Sequence, residues 1–240
     1  PGVATFSASP FNDPGVARQW HHTEATGPSV INSYTKYGFE TKQSIIVAVV
    51  DTGVDYEHDD LKNIMWVNSG EIAGNGIDDD NNGYIDDVHG INTLKRDSNG
   101  NATGDMMDAH NHGTHVSGLI AAEQNNGVGI AGVASNVQIM GIRTVPNNGD
   151  ETDADVSEAF LYAAKNGAKI INCSFGKAHN EDGDLVSETI EFIGKEYGVL
   201  VVAAAGNEKS DSDKHGYYPA DYDLNNIISV TAIDTSKKIL

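Results

Sequence analysis

The chain has 240 residues, 39% of them hydrophobic, which suits one domain with a sizeable core. Fifteen Lys and Arg stand against 35 Asp and Glu, and the resulting formal charge of -20 repels phosphate backbones and anionic membrane surfaces, which argues against nucleic acid or membrane partners. The single cysteine, Cys173, excludes an intrachain disulfide, and no apolar run reaches the roughly 18 residues of a membrane span.

Residues 1–43 are polar and turn-rich, with Phe11, Trp20, Tyr34 and Tyr37 scattered among Pro, Gly and Asn, and are expected to form an irregular arm laid on the body. Residues 1–30 lack the charged start and apolar middle of a signal peptide, so the chain, opening at Pro1, reads as mature or trimmed. From residue 44 the pattern changes. Runs at 44–51, 137–143, 168–175, 198–207 and 226–233 are short, nearly continuous and rich in Val and Ile, which predicts strands buried on both faces of a parallel sheet. Helical patterns lie between them at 113–123, at 153–166 before Gly167, and at 186–197 before Gly198. The alternation predicts an α/β fold, a doubly wound and mainly parallel sheet flanked by helices, over residues 44–240. Residues 68–111 break the alternation with Gly, Asn and Asp and are expected to be a long functional or ion-stapled insert.

Ligands of an open parallel sheet sit beyond the carboxyl ends of its strands. Asp51, Ser174 and Asn207 occupy or follow three such ends. Turns favour such residues anyway. Their coincidence with a histidine cluster, His110, His112 and His115, points instead to a site. A buried Asp can orient an imidazole, a His at a helix start can act as base, and an Asn amide can donate to an oxyanion.

The segments "VAVVDTGVD" (47–55), "HGTHVSG" (112–118), "NCSFG" (172–176) and "AAAGN" (203–207) resemble those of the subtilisin-like serine proteases, in that family's order of Asp before His. The resemblance implies a secreted, Ca²⁺-dependent endopeptidase acting on peptides or proteins through an acyl-enzyme. It implies Asp51 as the orienting carboxylate, His112 as base and then acid, and Asn207 as the oxyanion donor. Ser174, Phe175 and Gly176 would form the substrate strand and one wall of the specificity pocket, with Ala204, Ala205 and Gly206 opposite. Tyr217 precedes a Tyr218–Pro219 bond at a family position that is often cis, and would shape specificity. Gly149, with Asp150 and Glu151 after it, falls near the edge that receives residues before the scissile bond, where a bias toward basic or polar side chains is expected.

Two departures stand out. Asn111 occupies a position before the base that is often Gly, and no Gly-Thr-Ser, the family's nucleophile segment, occurs in the chain. The expectation is a domain incomplete at its C-terminus and inactive alone, its Ser on a separate or removed C-terminal fragment; the alternative is a catalytically dead peptide-binding module. An inhibitory propeptide is a further expected partner, with residues 1–10 as a remnant of its linker.

A second motif is "NGIDDDNNGYIDD" (75–87), in which Asp78, Asp80 and Asn82 are spaced as positions 1, 3 and 5 of an EF-hand-like loop. Gly83 falls at the turn, and Tyr84 offers a carbonyl at position 7. Position 12 is His89, so Asp86 or Asp87 must close the site. Hard oxygen ligands suit Ca²⁺, although the same residues also suit a solvated acidic loop. The family resemblance implies a weaker ion site at Asp60 with Asn125 and the carbonyls of that loop. A zinc hydrolase using His110, His112 and His115 is the remaining alternative. It leaves Asp51, the N-x-S-x-G strand and A-A-G-N unexplained.

Overall fold

A computed structural model describes residues 11–23, 30, 44–179, 181–207, 209, 211, 214–236 and 238–239. Among these, the apolar runs form β1 (Ile45–Asp51), β4 (Val137–Arg143), β5 (Ile170–Cys173), β6 (Leu200–Ala204) and β7 (Ile227–Val230). The last three are shorter than their apolar runs, so residues 174–176 and 205–207 lie past the strand tips. Two further strands, β2 (Gly90–Arg96) and β3 (Ala102–Thr103), lie inside the insert, so that segment is partly sheet rather than wholly an excursion. Pattern missed β2 because only its first four residues are buried. One of these is Thr93, whose hydroxyl finds Thr144 Oγ1 at 3.1 Å.

The sheet order is β3-β2-β4-β1-β5-β6-β7, parallel throughout except for β2–β3. Entry of β2 beside β4 requires a glycine, because Gly90 has φ +136° and a Cβ there would stand 1.7 Å from the Gly141 carbonyl oxygen. The helices are α1 (Trp20–Thr23), α2 (His112–Ala121), α3 (Asp153–Lys165) and α4 (Leu185–Tyr197). Val47 and Val49 of β1 face a core shared with Ala121 of α2, whereas Ala48 and Val50 face the core of α3 and α4, with Phe160, Ile190 and Ile193. Burial on both faces is what removes alternation from the central strands β1 and β4, whereas β7 at the sheet edge is half-buried at Ile227 and exposed from Ile228 to Val230. The chain passes from β1 through β2 and β3 to β4 on one side of β1 and only then reaches β5 on the other, which opens a crevice at the carboxyl end of β1.

Of the expected arm, the described part packs on the body: Gly15 N donates to Gly129 O at 2.7 Å, and Gln19 exchanges hydrogen bonds with Ala131. The remainder of residues 1–43 lies outside the described residues. No helix among the described residues is long and apolar enough to cross a membrane.

A buried ion pair ties the start of α3 to the turn after β5. Lys177 Nζ lies 2.9 Å from Asp153 Oδ1 and donates to Glu151 O at 2.8 Å. Asp153 Oδ2 also accepts from the amides of Glu181 and Asp182. Burial works to raise the Asp153 pKa, but the Asp182 amide, the Lys177 ammonium and the Glu181 amide outweigh it and hold the carboxyl below its ordinary 3.8. Asp153→Ala takes from the buried ammonium its closer carboxylate, leaving Glu181 at 3.4 Å, and is expected to cost less than the roughly 3–5 kcal/mol of a fully unpaired buried charge, about 2 kcal/mol in urea unfolding at neutral pH. A carboxylate with a depressed native pKa stabilises fully above its unfolded value and ceases to do so as pH falls through the native one. The wild-type advantage over Asp153→Ala should therefore shrink below about pH 4; an advantage that stays constant from pH 7 to pH 2 would rule this out.

Candidate active site

Asp51 ends the central strand and is 1% exposed. His112 opens α2, and its Nδ1 lies 2.7 Å from Asp51 Oδ1, with the side chain still 45% exposed. An ionised carboxylate only accepts, so Nδ1–H donates and Nε2 keeps its lone pair, the tautomer a base requires. The close approach of helix to strand tip depends on Gly113, where a Cβ would lie 2.1 Å from Gly53 O and 3.0 Å from Asp51 Cβ.

Asp108, which the sequence analysis does not single out, organises this seam. Its Oδ1 accepts from the amides of His110 and Asn111 and from Thr52 Oγ1; its Oδ2 accepts from the Thr114 amide and hydroxyl. Thr52 Oγ1 in turn accepts from Gly113 N, so strand end and helix start share one hydrogen-bonded net. Burial pushes the Asp108 carboxyl up, but the Thr114 hydroxyl and the amides of Asn111, His110 and Thr114 leave it below its usual range. The signal was present as an Asp two and three residues before the amides it binds, an Asx-type turn. Asn111 caps α2 at φ +98°, a left-handed conformation that Gly or Asn adopts most readily, which explains the departure at that position.

The registers Val50↔Cys173 and Cys173↔Ala203 place Asp51, Ser174 and Ala204 side by side at the carboxyl edge. Asn172 Nδ2 donates to Ser174 Oγ at 2.9 Å. Ala205 N is held by Val230 O, and Gly206, at φ +94°, leads into an exposed Asn207. Phe175 departs from expectation: its side chain is 9% exposed within the α3–α4 core, so only its backbone remains for the groove. Gly149 lies in an exposed turn after β4. Of its neighbours, Asp150 is exposed but Glu151 is 4% exposed, with burial raising its carboxyl, so Glu151 offers no surface charge to a substrate. Lys177 and Tyr218 exchange backbone hydrogen bonds, the Tyr218–Pro219 bond is cis, and Tyr217 lies against the tips of both β5 and β6.

Within the insert, Asp80 and Asp87 converge with Glu71, a residue outside the EF-hand-like spacing, and their oxygens lie within 4.8 Å of one another. Asn68 donates to both aspartates, as does Asn82, and Tyr162 Oη donates to Asp87 Oδ2 at 2.6 Å. Burial pushes Asp87 up to about 6, against hydrogen bonds from Tyr162, Asn82 and Asn68 that lower it. Loop amides are shared among these acids: Glu71 accepts from the amides of Asp79, Asp80 and Asp86, Asp80 from Asn82 N, Asp78 from Asn82 N and Gly83 N, and Asp86 from Asn75 N and Gly76 N. The Tyr84 ring packs edge-on against Tyr162. In the weaker site, Asn126 rather than Asn125 reaches Asp60, at 2.8 Å, while Asn125 Oδ1 accepts from Asn12 N. Among the described residues Glu71, Asp80 and Asp87 form the one group of three or more His, Cys, Asp or Glu with such convergent atoms, and His110, His112 and His115 do not converge in this way.

The fold has counterparts among solved structures, and the chain has relatives by sequence. The chain is 35% identical over 204 residues to subtilisin-like protease 1 of Plasmodium berghei (strain Anka), covering 85% of this chain and 32% of that protein. It is 36% identical over 207 residues to a thermophilic serine proteinase of Bacillus sp. (strain AK1), covering 85% and 42%. It therefore spans less than half the length of either relative. The crystal structure of the epidermin leader peptide processing serine protease of Staphylococcus aureus shares the fold, with TM-score 0.68 and 24% identity over 99% of this chain and 57% of that one. A model of the subtilase family matches residues 42–240, a span that holds the whole sheet together with Asp51 and His112, and the chain belongs to that family.

Proposed function

We propose that this chain carries the Asp–His half of the active site of a secreted serine endopeptidase, with the nucleophilic Ser supplied by sequence outside these 240 residues. The observation that carries the reading is the contact of the exposed His112 ring with the buried Asp51 carboxylate at 2.7 Å, at the carboxyl end of the central strand. Ser174 is a poor nucleophile candidate, since its Oγ is engaged by Asn172 and it belongs to the proposed substrate strand. A serine Oγ attacks the scissile carbonyl carbon while its proton passes to His112 Nε2. Asp51 stabilises the imidazolium that forms, and the Asn207 amide serves in this reading as the oxyanion donor. His112 then returns the proton to the leaving nitrogen as the C–N bond breaks, and water releases the acyl group by the same steps in reverse.

Ca²⁺ fits the insert. Three carboxylates converge there with only amide and phenol donors to offset their charge, Asp87 among them with no solvent exposure, and all the candidate ligands are hard oxygens. Glu71, Asp80 and Asp87 would hold the ion, which supplies stability to the loop and takes no part in bond breaking. The chain's -20 charge and such an ion both suit an extracellular medium.

In the full-length protein a fluorophosphonate should label one serine and peptides should be cleaved, with Asp51→Asn lowering kcat/KM by about 10⁴-fold because the amide NH2 can hold the imidazole in the wrong tautomer and brings no charge to the imidazolium. A full-length protein that binds peptides yet takes up no probe and cleaves nothing would replace this reading with a catalytically dead module. For the ion, chelation should lower Tm and Ca²⁺ should restore it, by about 2.7 kcal/mol at a hundredfold excess over Kd, and Asp80→Asn or Glu71→Gln should abolish the response. Restoration by Zn²⁺ but not Ca²⁺, or a Tm indifferent to chelator, would remove Ca²⁺ from the account.

A further inference from the structure

We infer that the buried ammonium of Lys177 is a positioning group for peptide cleavage, clamping together the two backbone segments between which the acyl half of a peptide must lie; the inference rests on the peptidase reading above. Those segments are set by topology. β4 and β5 flank β1 on its two sides, so the chain past β4 (144–152) and the chain past β5 (174–177) border the crevice that holds Asp51 and His112. Because β1 stands between them and ends at Asp51, no strand pairing joins these two edges among the described residues, and their spacing falls to side chains. Lys177 spans it: from the β5 edge, Nζ donates to the Glu151 carbonyl on the β4 edge at 2.8 Å.

An ammonium has three N–H donors, and each finds an acceptor here. Besides Glu151 O, Nζ lies 2.9 Å from Asp153 Oδ1 at the start of α3 and 3.4 Å from Glu181 Oε1. Both ends of the clamp are fixed. The backbone of Lys177 exchanges two hydrogen bonds with Tyr218, while Glu151 is 4% exposed and is followed by Thr152, whose hydroxyl caps α3 by accepting from Asp155 N at 3.1 Å. A methionine at 177 has similar length but no donor, so the Glu151 carbonyl and the Asp153 carboxylate would lose their shared partner and the edges would be free to part. A peptide laid along both edges then presents its carbonyl to His112 out of line, and a misplacement of about 1 Å can cost about 10²-fold in rate. A substrate too short to reach the edges is indifferent to the change.

The test compares the full-length wild type with Lys177→Met, Lys177→Arg and Asp153→Asn on two thiobenzyl esters that share a leaving group, one of acetyl-Ala and one of acetyl-Ala-Ala-Ala-Ala. The first reaches the imidazole but spans neither edge. Rates are expressed per site titrated by a fluorophosphonate, so a variant that folds poorly is still scored on its folded fraction. Wild type should prefer the four-residue ester in kcat/KM by at least about tenfold. Lys177→Met should lower that preference by about tenfold with the one-residue ester changing by less than about twofold, and Lys177→Arg, which keeps the charge, should retain at least about a third of it. If Lys177→Met yields no titratable sites, Asp153→Asn decides, since it keeps the ammonium but loosens its anchor, and should lower the preference by about threefold. No preference in wild type, an unchanged preference in the deciding variant, or equal losses on both esters would overturn the inference while leaving the peptidase reading intact. No labelling and no cleavage of either ester by wild type would overturn the peptidase reading, and this inference with it.

Discussion

The contact of greatest consequence is the 2.7 Å approach of His112 Nδ1 to Asp51 Oδ1, because it joins the end of the central strand to the start of α2. A carboxylate at 1% exposure needs donors, and Asp51 Oδ1 has the imidazole and the Thr52 amide, whereas its buried Oδ2 has no hydrogen-bond partner among the described residues. The seam around it fixes where the helix start meets the strand. Gly113 lets the helix backbone close on the strand tip, Asn111 takes the left-handed turn, and Asp108 gathers the amides that an α-helix start leaves unpaired. The same geometry leaves the far side of the imidazole facing solvent, where a base is useful.

Placement of the strand tips is the second constraint. Parallel strands in register end together, so Asp51, Ser174 and Ala204 share one edge without any direct contact having to specify it. Beyond the tips, the path of the backbone is set by polar anchors away from the edge. Lys177 is nearly buried and binds Asp153 and the Glu151 carbonyl, which fixes the turn after β5 against the start of α3; Tyr218 then pairs with Lys177 and carries Tyr217 into place. The width of the groove is thus tied to a buried ion pair on the opposite layer.

The insert solves a different problem with the same materials. Asp87 lies under the hydroxyl of Tyr162, a fully buried residue of α3, so the acidic loop is locked to the helical layer rather than floating over it. That attachment brings Asp80 and Glu71 to Asp87 and accounts for the charge concentration there. Asp78 and Asp86, equally acidic, are spent on backbone amides within the loop.

The sequence by itself determined the α/β alternation, the five apolar strands and the partnership of Asp51 with His112, because burial on both faces, helix period and motif order are written locally in the chain. Only tertiary structure decided which acids converge, since Glu71 lies outside the loop spacing and meets Asp80 and Asp87 through a fold-back of the insert. The same holds for β2, whose polar Thr93 is acceptable in the core only beside Thr144, and for Phe175, which turns inward to the α3–α4 core. Tyr217 is a mixed case: the family resemblance marks the residue, but its contact with Gly176 and Gly206, two glycines 30 residues apart, is set by the strands and turns that bring them together.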